Sequence, residues 1–303
     1  MKPVVAISAG DPSGIGPEVT LKALRDARVR RALTPLVFGD ASLSKHFAVG
    51  QLVGVTELAA ADRKPGKPTR EGGRAQHAYV CAAIDAAREG RAQAICTAPV
   101  SKETIVNSGL PFVGHTELLA EAFGCEVLML MDGPKLSVAL ATNHVALKDV
   151  SSRLEPARLL RQITLLAREC GKKIAVLGLN PHAGEHGTFG DEEARLIEPA
   201  VRAAKKQGIE CDGPLPADGL FARLSHGKLG YDAVLAMFHD QALPVAKALD
   251  FRRTVNVTLG LPVPRTSPDH GTAYDIAGKG KADPEPMIYA LLKAAERSKR
   301  RGH

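Results

Sequence analysis

Three of the ten histidines share one setting. LSVALATNH ends on His144, IAVLGLNPH on His182 and AVLAMFH on His239. Each follows a short apolar run that reads as a strand, so each is expected at a strand's carboxyl end. In α/β sheets those ends open onto the crevice where ligands bind, and parallel strands put them all on one edge. Three imidazoles meeting there would hold a divalent cation and leave positions open for substrate oxygens. One such histidine alone reads more readily as a hydrogen-bonded strand-end residue; three in the same setting favour the metal. His46, His77, His186, His226 and His303 lack that setting and are expected to be structural or on the surface.

A second set of residues suits anions. Gly114–Glu117 (GHTE) opens a helix, where His115 and Thr116 can hold an anion beside free backbone N–H groups. Thr116 reads equally as a helix cap. Lys247 and Arg265 suit phosphate or carboxylate, although singly each reads more readily as a surface cation. Asn256, inside the strand-like VNVTLG, is a polar residue where an apolar one is expected. The stretch HGTAYDIAGKGKADP, His270 to Pro284, is the most specific. Its glycines, among them Gly271, let the backbone approach a ligand. Asp275 can accept from a ribose 2′-hydroxyl and would repel a 2′-phosphate, which points to NAD rather than NADP. With His270 and Thr272 it forms the candidate cofactor loop; a plain Gly-rich loop before a helix is the alternative.

Alternating strand and helix signals must position these groups. Strands are expected over Pro3–Gly10, Pro35–Asp40, Ala94–Ala98, Val127–Met131, Leu136–Thr142, Ile174–Leu179 and Ala233–Phe238. Helices are expected from Glu18 to about Ala32, and over Arg74–Arg91, His115–Phe123, Glu155–Cys170, Asp191–Lys206 and Pro284–Lys299. The turn GDPSGIGPE, Gly10–Glu18, lacks the G-x-G-x-x-G spacing, and Asp62–Gly73 reads as a surface loop. The alternation predicts an α/β protein with much parallel sheet and helices on both faces. The expected boundaries are a first domain over 1–108, a second over 109–275, and a segment 276–303 returning to the first.

Composition excludes other classes. An apolar content of 45 % supports a sizeable core. No apolar run approaches the roughly 18–20 residues that cross a bilayer, and the N-terminus lacks a secretory pattern, so a cytoplasmic protein is expected. Five scattered cysteines without a C-x-x-C pair suggest reduced, structural thiols. The net charge of +7, without tryptophan or interleaved aromatics, suits an anionic small molecule better than nucleic acid.

Together GDPSGIGPE, TAPVSK, GHTE, TNH, NPHAGE, PADGLF, FHDQ, NVTLG, RTSPDHGTA and AGKGKADP resemble the 4-hydroxythreonine-4-phosphate dehydrogenase family of vitamin B6 biosynthesis, over nearly the whole chain. The HGTAYDIAG stretch also resembles the adenosine loop of isopropylmalate and isocitrate dehydrogenases. The resemblance implies a two-domain α/β/α fold and a homodimer with the active site between domains and subunits. It implies a divalent metal (zinc, cobalt or magnesium) on His144, His182 and His239 from both subunits, and substrate contacts from His115, Thr116, Lys247, Asn256 and Arg265. The implied reaction is NAD-dependent oxidation and decarboxylation of 4-phosphooxy-L-threonine to 3-amino-2-oxopropyl phosphate. Asp218 in PADGLF is the first choice for the general base, with Asp240 and Lys102 behind it; Asp218 reads equally as a turn residue. Ala242 stands where the family usually has Gly, and Asn143 where Thr is common. The D-threonate or D-erythronate 4-phosphate branch shares nearly all the substrate residues and stays open. A metal-dependent sugar-phosphate lyase or isomerase is the more remote alternative.

Overall fold

The computed structural model describes residues 1–227 and 229–302, which leaves His303 outside the described residues. The strands are β1 (Val4–Ser8), β2 (Thr34–Asp40), β3 (Leu52–Thr56), β4 (Ala94–Thr97), β5 (Leu128–Asp132), β6 (Ser137–Leu140), β7 (Lys173–Leu177), β8 (Glu210–Leu215), β9 (Ala233–Ala236), β10 (Val255–Leu259) and β11 (Arg265–Ser267). The helices are α1 (Gly16–Arg25), α2 (Ala27–Ala32), α3 (Arg70–Arg88), α4 (Lys102–Asn107), α5 (His115–Phe123), α6 (Val150–Arg153), α7 (Pro156–Cys170), α8 (Glu198–Lys206), α9 (Ala217–Ala222), α10 (His239–Asp250) and α11 (Glu285–Arg300). The sheet is mostly parallel with helices on both sides, as the alternation predicts.

Two compact units are present. One comprises Met1–Val127 with Val255–His303, the other Leu128–Thr254. The boundaries therefore fall elsewhere than at the expected 108 and 275. Gly109–Pro111, at the expected first boundary, lies within the first unit, between α4 and α5.

In the first unit the strand order is β3-β2-β1-β4-β11-β10, parallel except where β10 pairs with β11. Val5, Ile7, Val37, Phe38 and Ile95 are fully buried, as is expected of strands covered on both faces. Helix α3 packs on β1 and β2, and α11 on β4 and β11. The expected single helix after Pro17 is two, because Asp26 leaves α1 extended and its carboxylate caps α2 through the Arg28 N–H.

In the second unit the order is β5-β6-β9-β7-β8, parallel except for the β5–β6 pair. Its core joins Met131, Val138, Leu140, Ala175, Leu177, Val234 and Ala236 to Leu220, Leu243 and Ala246 of the helices. The expected helix over Asp191–Lys206 opens with a π-turn, Glu193–Ile197, before α8. That turn brings Glu193 inward, 4 % exposed, to accept from the Leu179 and Asn180 N–H groups.

Candidate active site

The three strands that precede the chosen histidines are neighbours, in the order β6-β9-β7, and mutually parallel. Their carboxyl ends therefore share an edge of the second unit. Gln241 ties that edge together: its Oε1 accepts from Met237 N at 2.7 Å, and its Nε2 donates to Gly178 O at 2.7 Å. His144 and His239 converge, with ring centroids 5.7 Å apart. His239 opens α10, and its Nδ1 lies 2.7 Å from Asp240 Oδ1. With that nitrogen protonated, Nε2 offers its lone pair outward, the arrangement by which carboxylates orient metal-binding imidazoles. These two imidazoles fit a shared cation.

His182 does not join them within one chain. It sits in a loop whose residues His182–His186 all have left-handed backbone, with φ of 52, 52, 78, 42 and 55°. Its ring packs beside Phe189 at 6.2 Å between centroids. Among the described residues of a single chain no three metal-ligating groups cluster.

The anion-binding candidates of the first unit centre on Arg265. Its position on β11, between β4 and β10, leaves it 2 % exposed. Nη2 donates to Thr97 Oγ1 at 2.6 Å and Nη1 to Thr258 Oγ1 at 3.3 Å, while Nε has no partner. No carboxylate pairs with it among the described residues, and burial pulls its pKa down to about 10. A buried cation held only by hydroxyls is costly unless an anion completes it. His115, the first residue of α5, is pushed well below its usual pKa by burial and then by the Arg265 charge, so it is neutral. Its Nε2 is sealed and unpartnered, and so is Asn256 Oδ1 on β10. Buried polar atoms are mostly bonded in folded proteins; other orphans occur in this unit, but these lie on the elements around an Arg265 that no carboxylate compensates, a combination that suits an anionic ligand. Thr116 follows in the first turn of α5, with no side-chain cap at that helix. Lys247 lies exposed on α10 of the second unit.

The cofactor loop follows β11. His270 Nε2 is buried without a partner, Gly271 borders open space, and Asp275 is exposed. An open approach beside an unmet donor or acceptor fits a dinucleotide's polar edge. The loop is held from beneath by Ile15 N, which donates to Thr272 O at 2.9 Å, and by Tyr274 Oη, which donates to Asp11 Oδ2 at 2.6 Å.

The base candidates are less constrained. Asp218 is exposed in the first turn of α9, Lys102 is exposed at the start of α4, and Asp240 engages His239. Thr97, Thr258, Gln241, Asp11 and Tyr274 escaped the sequence reading. For Thr97 a signal existed, since it ends the strand leading into TAPVSK.

The second unit thus sets imidazoles at the carboxyl ends of neighbouring parallel strands within a mostly parallel α/β fold. The family model described as pyridoxal phosphate biosynthetic protein PdxA matches residues 17–294. The chain belongs to that family. It is 43 % identical to a 4-hydroxythreonine-4-phosphate dehydrogenase of Geobacter metallireducens, covering 99 % of this chain and 97 % of that protein. It is 39 % identical to a protein of Oceanobacillus iheyensis bearing the provisional name D-threonate 4-phosphate dehydrogenase, over 97 % and 98 % of the two chains. The crystal structure of 4-hydroxythreonine-4-phosphate dehydrogenase from Klebsiella pneumoniae superposes with a TM-score of 0.83 at 35 % identity, over 98 % of each chain.

Proposed function

We propose that this chain oxidises and decarboxylates 4-phosphooxy-L-threonine to 3-amino-2-oxopropyl phosphate, using NAD and a divalent metal, in the formation of pyridoxal phosphate. The observation that carries the reading is the buried, carboxylate-free Arg265 with the unmet atoms of His115 and Asn256. Such a set of groups suits a phosphorylated polar substrate, and a relative at 43 % identity bears the corresponding name.

In this reading Arg265, with the α5 N-terminus, His115 and Thr116, binds the phosphate or carboxylate and orients the chain of the substrate. A neutral His115 donates one hydrogen bond and accepts another, which suits a hydroxyl or phosphate oxygen. Lys247 and Asn256 complete the substrate's contacts. His144, His182 and His239, drawn from two copies of the chain, would hold the cation (zinc, cobalt or magnesium), and His270, Gly271, Thr272 and Asp275 the dinucleotide. When bound, these groups supply a hydride acceptor and a Lewis acid for alcohol oxidation and the loss of CO₂. Asp240 acts by fixing the His239 ring, which leaves Asp218 and Lys102 to move the hydroxyl proton.

The second reading, a D-threonate or D-erythronate 4-phosphate dehydrogenase, is favoured by the relative at 39 % identity. NADH absorbance on 4-phosphooxy-L-threonine, D-threonate 4-phosphate and D-erythronate 4-phosphate separates the two. The first substrate is expected to give the highest kcat/KM; preference for either sugar acid would replace the first reading with the second.

A further inference from the structure

The turn Gly10–Glu18 has no role in the chemistry described above, yet it is wired to the cofactor loop along its length. Asp11 is 1 % exposed. Its Oδ2 accepts from Tyr274 Oη at 2.6 Å and from Gln76 Nε2 at 3.1 Å, and its Oδ1 from Ser13 N at 2.8 Å. Gln76 in turn accepts from Ser101 N at 2.6 Å, at the cap of α4. Gly14 approaches Thr272 so closely that a Cβ there would lie 3.0 Å from the threonine. Further along, Glu18 accepts from Ala282 N at 3.1 Å, and Lys22 donates to Gly280 O and Ala282 O at 2.8 Å. The loop is thus pinned through its backbone at 272, 280 and 282 and through the Tyr274 side chain, while Asp275 between those pins is left exposed.

We infer that Asp11 and Tyr274 are positioning residues for the dinucleotide: their hydrogen bond sets the loop so that Asp275 and the open face at Gly271 meet the cofactor. The GDPSG turn is then a foundation for the cofactor loop and not itself a phosphate cradle. A buried carboxylate is a suitable anchor, because burial makes the loss of any of its partners costly and the geometry correspondingly exact in register. Ala273 supports this reading. Its left-handed φ of 43° is a conformation a non-glycine residue keeps only when its surroundings hold it, and Tyr274 is its neighbour in the chain. The inference rests on reading 270–280 as the dinucleotide site.

The test measures NADH affinity directly by fluorescence titration, and KM for NAD⁺ and for substrate by turnover. Tyr274→Phe removes one hydroxyl and keeps the ring. It is expected to weaken dinucleotide binding roughly tenfold, as loss of one charge-assisted hydrogen bond would. Its kcat at saturating NAD⁺ and its KM for substrate should stay within about twofold of the parent. Asp11→Asn should weaken dinucleotide binding to a similar degree, and the double variant should be no worse than the weaker single one, since both break the same link. A substrate KM that rises alongside that for NAD⁺, or full additivity in the double variant, would overturn the inference. If Asp11→Asn fails to fold, Tyr274→Phe decides alone. Asp275→Ala is the control. Should it leave NADH affinity unchanged, the loop does not hold the dinucleotide and the underlying reading fails. Should it weaken affinity while Tyr274→Phe does not, only the positioning inference fails.

Discussion

Replacing Arg265 with methionine discriminates a ligand-binding cation from a structural one, because the two roles predict opposite signs. A guanidinium has five N–H donors. Two are engaged by Thr97 and Thr258, and Nε has no partner in the protein. If two of the remaining donors meet the substrate's phosphate or carboxylate, at about 1.5–3 kcal/mol each, their loss costs about 3–6 kcal/mol of binding in the transition state. That is roughly a 10²- to 10⁴-fold fall in kcat/KM. Without ligand the balance differs. The substitution removes a desolvated cation that no carboxylate compensates, a relief of several kcal/mol, which offsets the loss of two hydrogen bonds to threonine hydroxyls of about 1.5–3 kcal/mol each. The unliganded variant is therefore expected to unfold at the same temperature as the parent or higher, and to lose the protection that inorganic phosphate gives the parent. Thermal unfolding with and without phosphate, beside steady-state kinetics, reads both quantities. Unchanged kcat/KM together with a lowered melting temperature would refute the reasoning and make Arg265 a framework residue.

Other consequences are sharp. His144→Ala and His239→Ala should each abolish turnover and weaken cobalt or zinc binding by at least about 10-fold while leaving the unfolding temperature intact, since both rings lie outside the core; full activity in a metal-stripped His239→Ala protein would remove the cation from that place. His115 should make stability depend on pH. The unfolded imidazole takes up a proton near pH 6.5, whereas the folded one does so only well below it, so its contribution is fully present above 6.5 and is lost progressively as pH falls beneath that value. His115→Gln should flatten the fall in melting temperature below pH 6.5; an identical slope would show that His115 titrates normally. Asp275→Lys should shift the ratio of kcat/KM values from NAD⁺ toward NADP⁺, and an unchanged ratio would exclude a carboxylate–ribose contact.

Much of this arrangement was legible in the chain, and the exceptions have physical causes. The helices α3, α5 and α7 follow from apolar periodicity, and β6, β7 and β9 from short apolar runs, so three strand-end histidines could be named. That β6, β9 and β7 lie side by side is a matter of topology, which local pattern does not carry. Strand β8 reads ECDGPL, and its mixed polar and turn-forming residues conceal it. Helix α10 is disguised by Pro244 within it. The π-turn at Glu193 and the left-handed run at His182–His186 have no periodic signature at all, although together they decide where His182 sits. The Arg265 cluster was recognisable as cations and polar residues in strand-like runs, but its burial and its unmet atoms appear only when β11 is placed between β4 and β10. Asp11 and Tyr274 are separated by 263 residues, so their contact was invisible before the fold was known.

The most direct measurement follows NADH and CO₂ together, with 4-phosphooxy-L-threonine as substrate, before and after chelation of divalent metal. The account predicts one CO₂ for each NADH, loss of both on chelation, and return of both on adding metal back. Consumption of the substrate without NADH would contradict it and make the protein a metal-dependent lyase or isomerase.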